Sequence, residues 1–282
     1  MENLTEEKIK TLNIAANNIR KSIISMLLEA QSGHTAGALG MADIFTLLYF
    51  QILKHDPKNP LWESRDRLVL SNGHICPVLY ATMAHAGYFP IEELKTLRKF
   101  GARLQGHPHR EFMPFLETSS GPLGEGLSQA VGIAIASRID EKDILGQKIY
   151  CITGDGELDE GQIWEAVMLA SKEKLSNLIV IVDRNNIQID GVTEKIMPLN
   201  DLKNKFESFN WFAQEVDGNN FSEINSAIYK AKNNKGLPSV VIAHTVPSKG
   251  IKEWENDYHW HGKAPNKQEA QMALEELNNK NY

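Results

Sequence analysis

The chain has 282 residues, of which 42% are hydrophobic and 23% are charged, and its formal net charge is −6. This length and composition provide a sizeable core, in one large α/β domain or in two small ones. The negative charge offers no basic face for a nucleic acid, and no apolar run approaches the length of a membrane span.

The termini and the cysteines bear on the cellular compartment. Residues 1–7 are acidic and have no apolar segment, which predicts that no signal peptide is present. The two cysteines, Cys76 and Cys151, cannot form a disulfide framework, and Cys151 lies inside a predicted strand. We therefore expect two reduced thiols in a cytoplasmic protein.

The first half of the chain reads mainly as helix. Apolar residues at helical spacing predict a helix over 5–30, followed by a second helix over 41–53. A short strand is predicted over 67–71, and the helix after it ends at His85. Residues 101–126 are rich in Gly, Pro and His and have no period, and an irregular loop of that length is uncommon unless it has a function.

In the second half, strands and helices alternate, separated by loops over 184–200 and 244–265. The pattern predicts, in order, helix 127–139, strand 148–153, helix 161–174, strand 178–183, helix 200–209, strand 212–216, helix 221–232, strand 239–243 and helix 266–279. This alternation predicts an α/β fold: a doubly wound, mostly parallel sheet with helices on both faces. No repeat or linker is visible, so we expect residues 1–282 to form a single domain.

Polar residues follow two neighbouring predicted strands. Gly154-Asp155-Gly156 comes after the first strand, and Asn185 comes after the next. A lone Gly-Asp-Gly usually marks only a turn. However, the carboxyl ends of parallel strands meet at one sheet edge, where ligands bind. A carboxylate and an amide oxygen there, with the backbone carbonyl of Ile187, suit Mg²⁺, which often shares its shell with a phosphate.

Histidines at glycines are the second chemical pattern. Of nine histidines, four lie in loops beside Gly: His34, His74, His107 and His261. Any one alone reads as a surface or satisfied core residue, but four suit proton transfer near neutral pH. Zinc is the alternative, since His259 and His261 could share a strand face. No zinc-type spacing of Cys or His supports it.

A glycine-rich segment precedes a predicted helix. Gly121-Pro122-Leu123-Gly124 would let backbone approach a ligand and leave N–H groups free at the helix start. The segment follows a loop rather than a strand, so it is not the dinucleotide-binding fingerprint. Glu160 opens the helix after Gly154-Asp155-Gly156, where the helix dipole favours a carboxylate in any case.

Together these stretches resemble the N-terminal half of transketolase, a thiamine diphosphate enzyme, from about residue 10 to residue 265. The matching motifs are Ser32-Gly33-His34, Leu70-Ser71-Asn72-Gly73-His74, Gly106-His107-Pro108, Thr118-Ser119-Ser120-Gly121-Pro122-Leu123-Gly124, Gly154-Asp155-Gly156-Glu157-Leu158-Asp159-Glu160-Gly161 and His261-Gly262.

The resemblance implies a cofactor site. Asp155, Asn185 and the carbonyl of Ile187 would hold Mg²⁺ or Ca²⁺, which in turn holds the diphosphate. The implied cofactor-binding residues are His74, Gly121, Pro122, Leu123, Gly154, Asp155, Gly156, Glu157, Asn185 and Ile187.

The resemblance also implies catalytic roles. His34 and His261 would serve proton transfer, and His107 would hydrogen-bond the hydroxyl of the two-carbon unit. Glu160 would lie at a subunit interface. Two departures touch the channel mouth: Thr35 follows His34 where Pro is commoner, and His109-Arg110 stands where an acidic residue is commoner. These departures bear on acceptor preference.

Length is the larger departure, because the family carries further domains that supply the carboxylate activating the cofactor ring. The chain therefore looks like the N-terminal subunit of a split transketolase. We expect it to be inactive alone and to act with a separate C-terminal subunit in an α₂β₂ assembly. The pair would transfer a two-carbon ketol unit from a ketose phosphate to an aldose phosphate in carbohydrate metabolism, as in the pentose phosphate pathway.

Other readings remain open. The chain could be half of another thiamine diphosphate enzyme, similar to 1-deoxyxylulose-5-phosphate synthase or a 2-oxo acid dehydrogenase, or a transketolase for modified sugars. The histidine set favours sugars over oxo acids. A non-catalytic cofactor-binding homologue is a further alternative, and a dinucleotide-binding domain lacks its required motif.

Overall fold

A computed structural model describes residues 4–280 of the chain. Two predictions concern residues 1–3 and 281–282, which lie outside the described residues. They are the single domain over residues 1–282 and the absence of a signal peptide.

The first half of the described chain is mostly helical, as predicted. Thr5 begins α1 by accepting a hydrogen bond from the backbone of Lys8 at 3.2 Å, and α1 ends where Gln31 turns left-handed. The elements are α1 (Glu6–Ala30), α2 (Ala36–Gly40), α3 (Ala42–Leu47), a π-helical segment (Leu48–Ile52), β1 (Arg67–Leu70), a 3₁₀ turn (Gly73–Ile75), α4 (Cys76–His85), a 3₁₀ segment (Ile91–Thr96) and α5 (Glu125–Ile139).

The second half has the predicted alternation of strand and helix. Its elements are β2 (Ile149–Gly154), a 3₁₀ turn (Gly156–Asp159), α6 (Gly161–Lys172), β3 (Leu178–Asp183), β4 (Ile187–Gln188), β5 (Gly191–Val192), α7 (Thr193–Ile196), α8 (Leu202–Ser208), β6 (Phe212–Asp217), α9 (Phe221–Asn233), β7 (Ser239–His244), a 3₁₀ turn (Tyr258–Trp260) and α10 (Lys267–Asn278).

Five strands form one parallel sheet in the order β1-β2-β3-β7-β6. Every position of β3 is buried, as expected for a parallel strand covered on both faces. Its side chains alternate between two cores. Ile179 and Ile181 belong to the core that includes α1, α4, α9 and α10, whereas Val180 and Val182 belong to the core with α5, α6 and α8. The predicted fold class is confirmed.

The sequence prediction differed from the structure in several short segments, including α2, which was not predicted. The helix expected over 41–53 is α3 followed by the π-helical segment, in which the N–H of Leu53 donates to the carbonyl of Leu48. The loop expected over 184–200 contains an antiparallel ribbon, β4 with β5, and the short helix α7. Strands of two residues carry no readable alternation, so periodicity could not find them.

Among residues 4–280, no helix combines the length and the apolar character needed to cross a bilayer. Cys76 and Cys151 are both free and buried.

Candidate active site

A cavity of about 300 Å³ opens at the carboxyl ends of β1, β2 and β3. Ligands bind at this edge in open α/β sheets. The cavity brings together residues from widely separated parts of the chain. It is lined by His34, Asn72, His74, His107, Gly121, Leu123, Gly154, Asp155, Gly156, Glu157, Asp183, Asn185, Ile187, Gln188, Ile189 and His261.

Two residues expected at the site do not line this cavity. Pro122 is exposed on the segment whose neighbours Gly121 and Leu123 form part of the wall. Glu160 is also exposed, at the N-terminal end of α6. A Cβ on Gly124 would lie 2.9 Å from the Cβ of Glu160, so Glu160 lies behind the glycine-rich segment. Its expected place at a subunit interface requires an exposed side chain, which it has.

Asp155 follows β2 and is only 2% exposed. Its Oδ1 accepts from the backbone N–H of Gly156 at 2.8 Å, and its Oδ2 accepts from the N–H of Asn186 at 2.7 Å. Arg184 donates to Oδ2 at 3.1 Å and also pairs with Glu194 at 2.5 Å. Burial raises the pKa of Asp155, and Arg184 opposes that shift by favouring the carboxylate. The carboxylate is therefore held in one orientation at the cavity wall.

Asn185 is oriented by its neighbours in the turn after β3. Its Nδ2 donates to Asp183 at 2.9 Å, and its Oδ1 accepts from the N–H of Ile187 at 3.1 Å. Asp183 also accepts a short hydrogen bond from Thr245. Burial raises the pKa of Asp183 to about 7. Because Asp183 accepts a hydrogen bond from the NH₂ group of Asn185, the amide oxygen of Asn185 faces Ile187.

The donor set fits a hard cation. Asp155 and Asn185 supply carboxylate and amide oxygens, and both residues and Ile187 line one cavity. Mg²⁺ and Ca²⁺ take such oxygen ligands, and Mg²⁺ usually adds substrate phosphate oxygens. Within the described range 4–280, no group of three or more His, Cys, Asp or Glu side chains is placed to hold a metal ion.

Three histidines meet at the other wall of the cavity. The ring centroids of His34 and His74 lie 5.0 Å apart, and that of His261 lies 5.7 Å and 5.3 Å from them. Burial lowers the pKa of His34 to about 4, assisted by the charges of His261 and Arg98. Burial also lowers the pKa of His74 and of His261. These imidazoles are thus neutral at pH 7, so each has one nitrogen that accepts and one that donates a hydrogen bond.

His107 lies nearer solvent, beside a cation that the sequence analysis did not single out. Burial and the charge of Arg98 lower the pKa of His107. Arg98 donates to Ser32 at 3.3 Å, and a Cβ on Gly106 would lie 2.8 Å from its Nε. Arg98 therefore links the Ser32-Gly33-His34 and Gly106-His107-Pro108 loops.

Glu157 holds the glycine-rich segment against the strand ends. One carboxylate oxygen accepts from the N–H of Gly124 at 2.7 Å and from the Ser71 hydroxyl, and the other accepts from the N–H of Gly154 at 3.0 Å. The side chain is 2% exposed. Both oxygens are thus engaged by protein groups, although Glu157 lines the cavity.

Three residues at the strand ends stood in recognised stretches of the sequence but were given no role of their own: Asn72, Asp183 and Arg184. Asn72 stood inside a quoted motif, and the other two directly precede Asn185. Their polarity at the ends of apolar strands was the available signal.

The comparisons with known proteins agree with one another. The family described as transketolase, thiamine diphosphate binding domain, matches residues 11–280. The 6-deoxy-6-sulfo-D-fructose transketolase subunit SqwG of Clostridium sp. (strain MSTE9) is 42% identical over 274 residues, which cover 97% of this chain and 98% of the relative. One of the subunits of the apulose-4-phosphate transketolase of Phocaeicola vulgatus is 35% identical over 270 residues, covering 96% of this chain and 95% of the relative.

Solved structures give the same result for the fold. Transketolase from Leishmania mexicana superposes with a TM-score of 0.89 at 32% identity, covering 95% of this chain. Transketolase from Campylobacter jejuni superposes with a TM-score of 0.88 at 37% identity, covering 95% of this chain. The chain spans 41% and 42% of the lengths of these two proteins.

Proposed function

Because this chain belongs to the transketolase family, as shown by its thiamine diphosphate-binding domain, we propose that it acts as the N-terminal subunit of a two-chain transketolase. With a separate C-terminal subunit it transfers a two-carbon ketol unit from a ketose phosphate to an aldose phosphate. The observation that carries the proposal is one cavity in which Asp155, Asn185 and Ile187 lie with His34, His74, His107 and His261.

The metal end of the cavity anchors the cofactor in this proposal. Asp155, Asn185 and the carbonyl of Ile187 bind Mg²⁺, which binds the diphosphate, and His74 and Gly156 lie against the same group. Oxygen ligands fixed by Arg184 and Asp183 support this assignment, because such outer hydrogen bonds orient metal ligands. Gly121, Pro122, Leu123, Gly154 and Glu157 shape the wall beside it.

The histidine end handles the sugar. Bound thiamine diphosphate supplies carbanion stabilisation at the carbon that is transferred. Cleavage between C2 and C3 of a ketose also requires a proton to leave one hydroxyl and later to return to an oxygen. His34 and His261 are neutral at pH 7 and have buried Nδ1 atoms that no group among the described residues hydrogen-bonds, so they can accept that proton. His107 donates to the hydroxyl of the two-carbon unit.

The partner completes the site. The remaining catalytic carboxylate comes from the separate C-terminal chain, and the two kinds of chain assemble as α₂β₂, with the exposed Glu160 at the interface. Near full-length similarity to two proteins that are themselves named as subunits supports this arrangement. Residues 1–282 form one domain of a cytoplasmic enzyme, in which Mg²⁺ is the resident ion.

Two classes of sugar substrate fit this reaction. The first class is the ordinary ketose phosphates of the pentose phosphate pathway. A modified sugar is the second, and it is favoured by the similarity to relatives whose names specify a sulfofructose and apulose 4-phosphate. The sequence of the channel differs from the common transketolase pattern at Thr35, beside His34, and at His109-Arg110, close to His107.

Reconstitution tests the proposal. The chain is assayed by itself and with its C-terminal partner, in the presence of thiamine diphosphate and Mg²⁺, against ketose phosphate, sulfonated ketose and 2-oxo acid donors. We expect ketol transfer only from the pair and only from a ketose. Full turnover by the chain without its partner would contradict the two-chain assignment, and decarboxylation of an oxo acid without ketol transfer would contradict the reaction.

A further inference from the structure

Asn72, in the turn after β1, has an amide group without a protein partner in the cavity wall. Its side chain is 1% exposed, and neither Nδ2 nor Oδ1 is hydrogen-bonded to any group of residues 4–280. A Cβ added to Gly154 would lie 3.7 Å from its Nδ2, which places the amide over the end of β2. Buried amides are normally bonded, and leaving both atoms unpaired costs stability.

Three other buried asparagines each use at least one amide atom. Asn17 donates through Nδ2 to the carbonyl of Leu277 at 2.9 Å, although its Oδ1 is unpaired among residues 4–280. Asn177, at 4% exposure, donates to the carbonyl of Ala134 at 2.9 Å, and Asn185 uses both amide atoms. Only the backbone carbonyl of Asn72 has a role in its own turn, where it accepts from Ile75 at 3.1 Å. Within residues 4–280, no hydrogen bond of the Asn72 side chain explains its burial.

The hydrogen-bond donors around the strand ends show what this amide is suited to bind. The backbone N–H groups of Gly154 and Gly124 donate to Glu157, and those of Gly156 and Asn186 donate to Asp155. These are the groups that a glycine-rich turn would otherwise offer to a phosphate. The buried side-chain nitrogen of Gln188 is likewise unpaired among the described residues. Among the described residues, the side-chain amides of Asn72 and Gln188 are therefore unpaired donors at this wall.

We propose that Asn72 binds the diphosphate that the proposed metal site would hold, with its unpaired amide placed to donate from Nδ2 to a phosphate oxygen. This inference rests on the proposed cofactor site and adds a binding residue to it. It makes Asn72 a residue whose polar atoms are kept for a ligand at the expense of the stability of the chain itself.

The substitution Asn72→Leu keeps the approximate shape and removes both polar atoms. We expect the affinities for Mg²⁺–thiamine diphosphate and for Mg²⁺–pyrophosphate, measured by titration calorimetry on the two-chain complex, to fall by a similar factor of about 10 to 100, because a hydrogen bond to a charged group is lost. We expect the denaturant midpoint of the cofactor-free chain to stay or rise, since no protein hydrogen bond is broken.

Asn177→Leu is the matched control. It should lower the denaturant midpoint, because it removes a hydrogen bond and leaves the carbonyl of Ala134 without its donor, and it should leave both affinities unchanged. Asn72→Asp is a second variant that keeps the shape and places a carboxylate beside the phosphate. It should weaken both affinities at least as much as Asn72→Leu does.

Three results would overturn the inference. Asn72→Leu could lower the midpoint as Asn177→Leu does and leave both affinities unchanged, which would make the amide structural. It could raise only the KM of the ketose, which would assign the amide to the sugar, or weaken only the association of the two chains. If the unsubstituted pair binds Mg²⁺–pyrophosphate through Asn72 but performs no ketol transfer, the proposed reaction fails while this inference stands.

Discussion

Buried, neutral imidazoles define the chemistry of the site at the scale of single residues. His34 is enclosed with His74 and His261, and burial lowers its pKa to about 4. A neutral ring accepts a proton at pH 7, whereas a ring of ordinary pKa would already be partly protonated near pH 6.5. The rings are therefore unprotonated over the whole neutral range, and each has a nitrogen that can accept a hydrogen bond from a sugar hydroxyl.

The same shift predicts how stability depends on pH. The folded pKa of His34 lies below its unfolded value of 6.5, so the unfolded chain binds the extra proton, and stability is lost as the pH falls from about 6.5 to about 4. In His34→Gln the free energy of unfolding lost over this pH range should be smaller by roughly 2 kcal/mol. This figure is below the one that the whole pKa shift would give, because part of the ring is exposed to solvent. Urea denaturation of both proteins from pH 7 to pH 4 measures the difference.

His244→Gln, at an exposed end of β7 outside the cavity, is the control for exchanging a histidine for a glutamine elsewhere in the chain. If the free energy of unfolding depended on pH in the same way in His34→Gln and in the unsubstituted chain, the predicted shift in the pKa of His34 would be contradicted.

Residue types at the site were readable from the sequence, but their partners were not. Asp155 and Asn185 were found because a polar residue at the end of an apolar strand is conspicuous. That Arg184 binds Asp155 and that Asp183 binds Asn185 depends on side-chain rotamers and on the turn after β3, in which Asn186 is left-handed. Periodicity carries no information on either.

Close contact between α5 and β1 positions the glycine-rich segment at the scale of elements. A Cβ on Gly126, in the first turn of α5, would lie 2.4 Å from the side chain and 2.6 Å from the Cα of Ser71. The N–H of Gly126 donates to the Ser71 hydroxyl at 3.1 Å, and this hydroxyl donates to Glu157. Only glycine allows the helix to begin this close to the strand.

Two glycine substitutions in α5 should therefore have opposite effects. Gly126→Ala should destabilise the chain by about 1–3 kcal/mol, because backbone must shift to admit the methyl group. Gly132→Ala, at a position with no heavy atom within 4 Å of the added Cβ, should stabilise it by about 0.5–1 kcal/mol, since alanine is the better helix former. Denaturant midpoints give both values, and destabilisation of equal size at the two positions would contradict the packing described for Gly126.

Long elements were predicted and short ones were missed. Helix α1 and strands β2 and β3 were found within a few residues because their apolar patterns are sustained. The ribbon of β4 with β5 was assigned to a loop because each strand has only two residues. The N–H of Thr193 donates to the carbonyl of Asn186 beside this ribbon and extends it by one hydrogen bond.

At the scale of the whole molecule, alternation of strand and helix was enough to predict a mostly parallel sheet with helices on both faces. The order β1-β2-β3-β7-β6 was not predicted, because β7 lies beside β3 although β6 precedes it in the chain, and periodicity does not say which strand pairs with which. The cavity follows from that order, since it needs the ends of β1, β2 and β3 to be neighbours. The histidines were expected to meet only because of the family resemblance, as they arrive on loops whose paths the sequence does not define.

The central claim is that the tips of β2 and β3 together hold a divalent ion and, through it, a diphosphate. Anomalous diffraction from crystals of the two-chain complex with thiamine diphosphate and Mn²⁺ in place of Mg²⁺ tests it most directly. We expect a manganese peak bonded to the carboxylate of Asp155, the amide oxygen of Asn185 and the carbonyl of Ile187, with phosphate oxygens and water completing an octahedral shell. A peak among His34, His74 and His261, or a bound cofactor with no ion at the strand tips, would contradict the account.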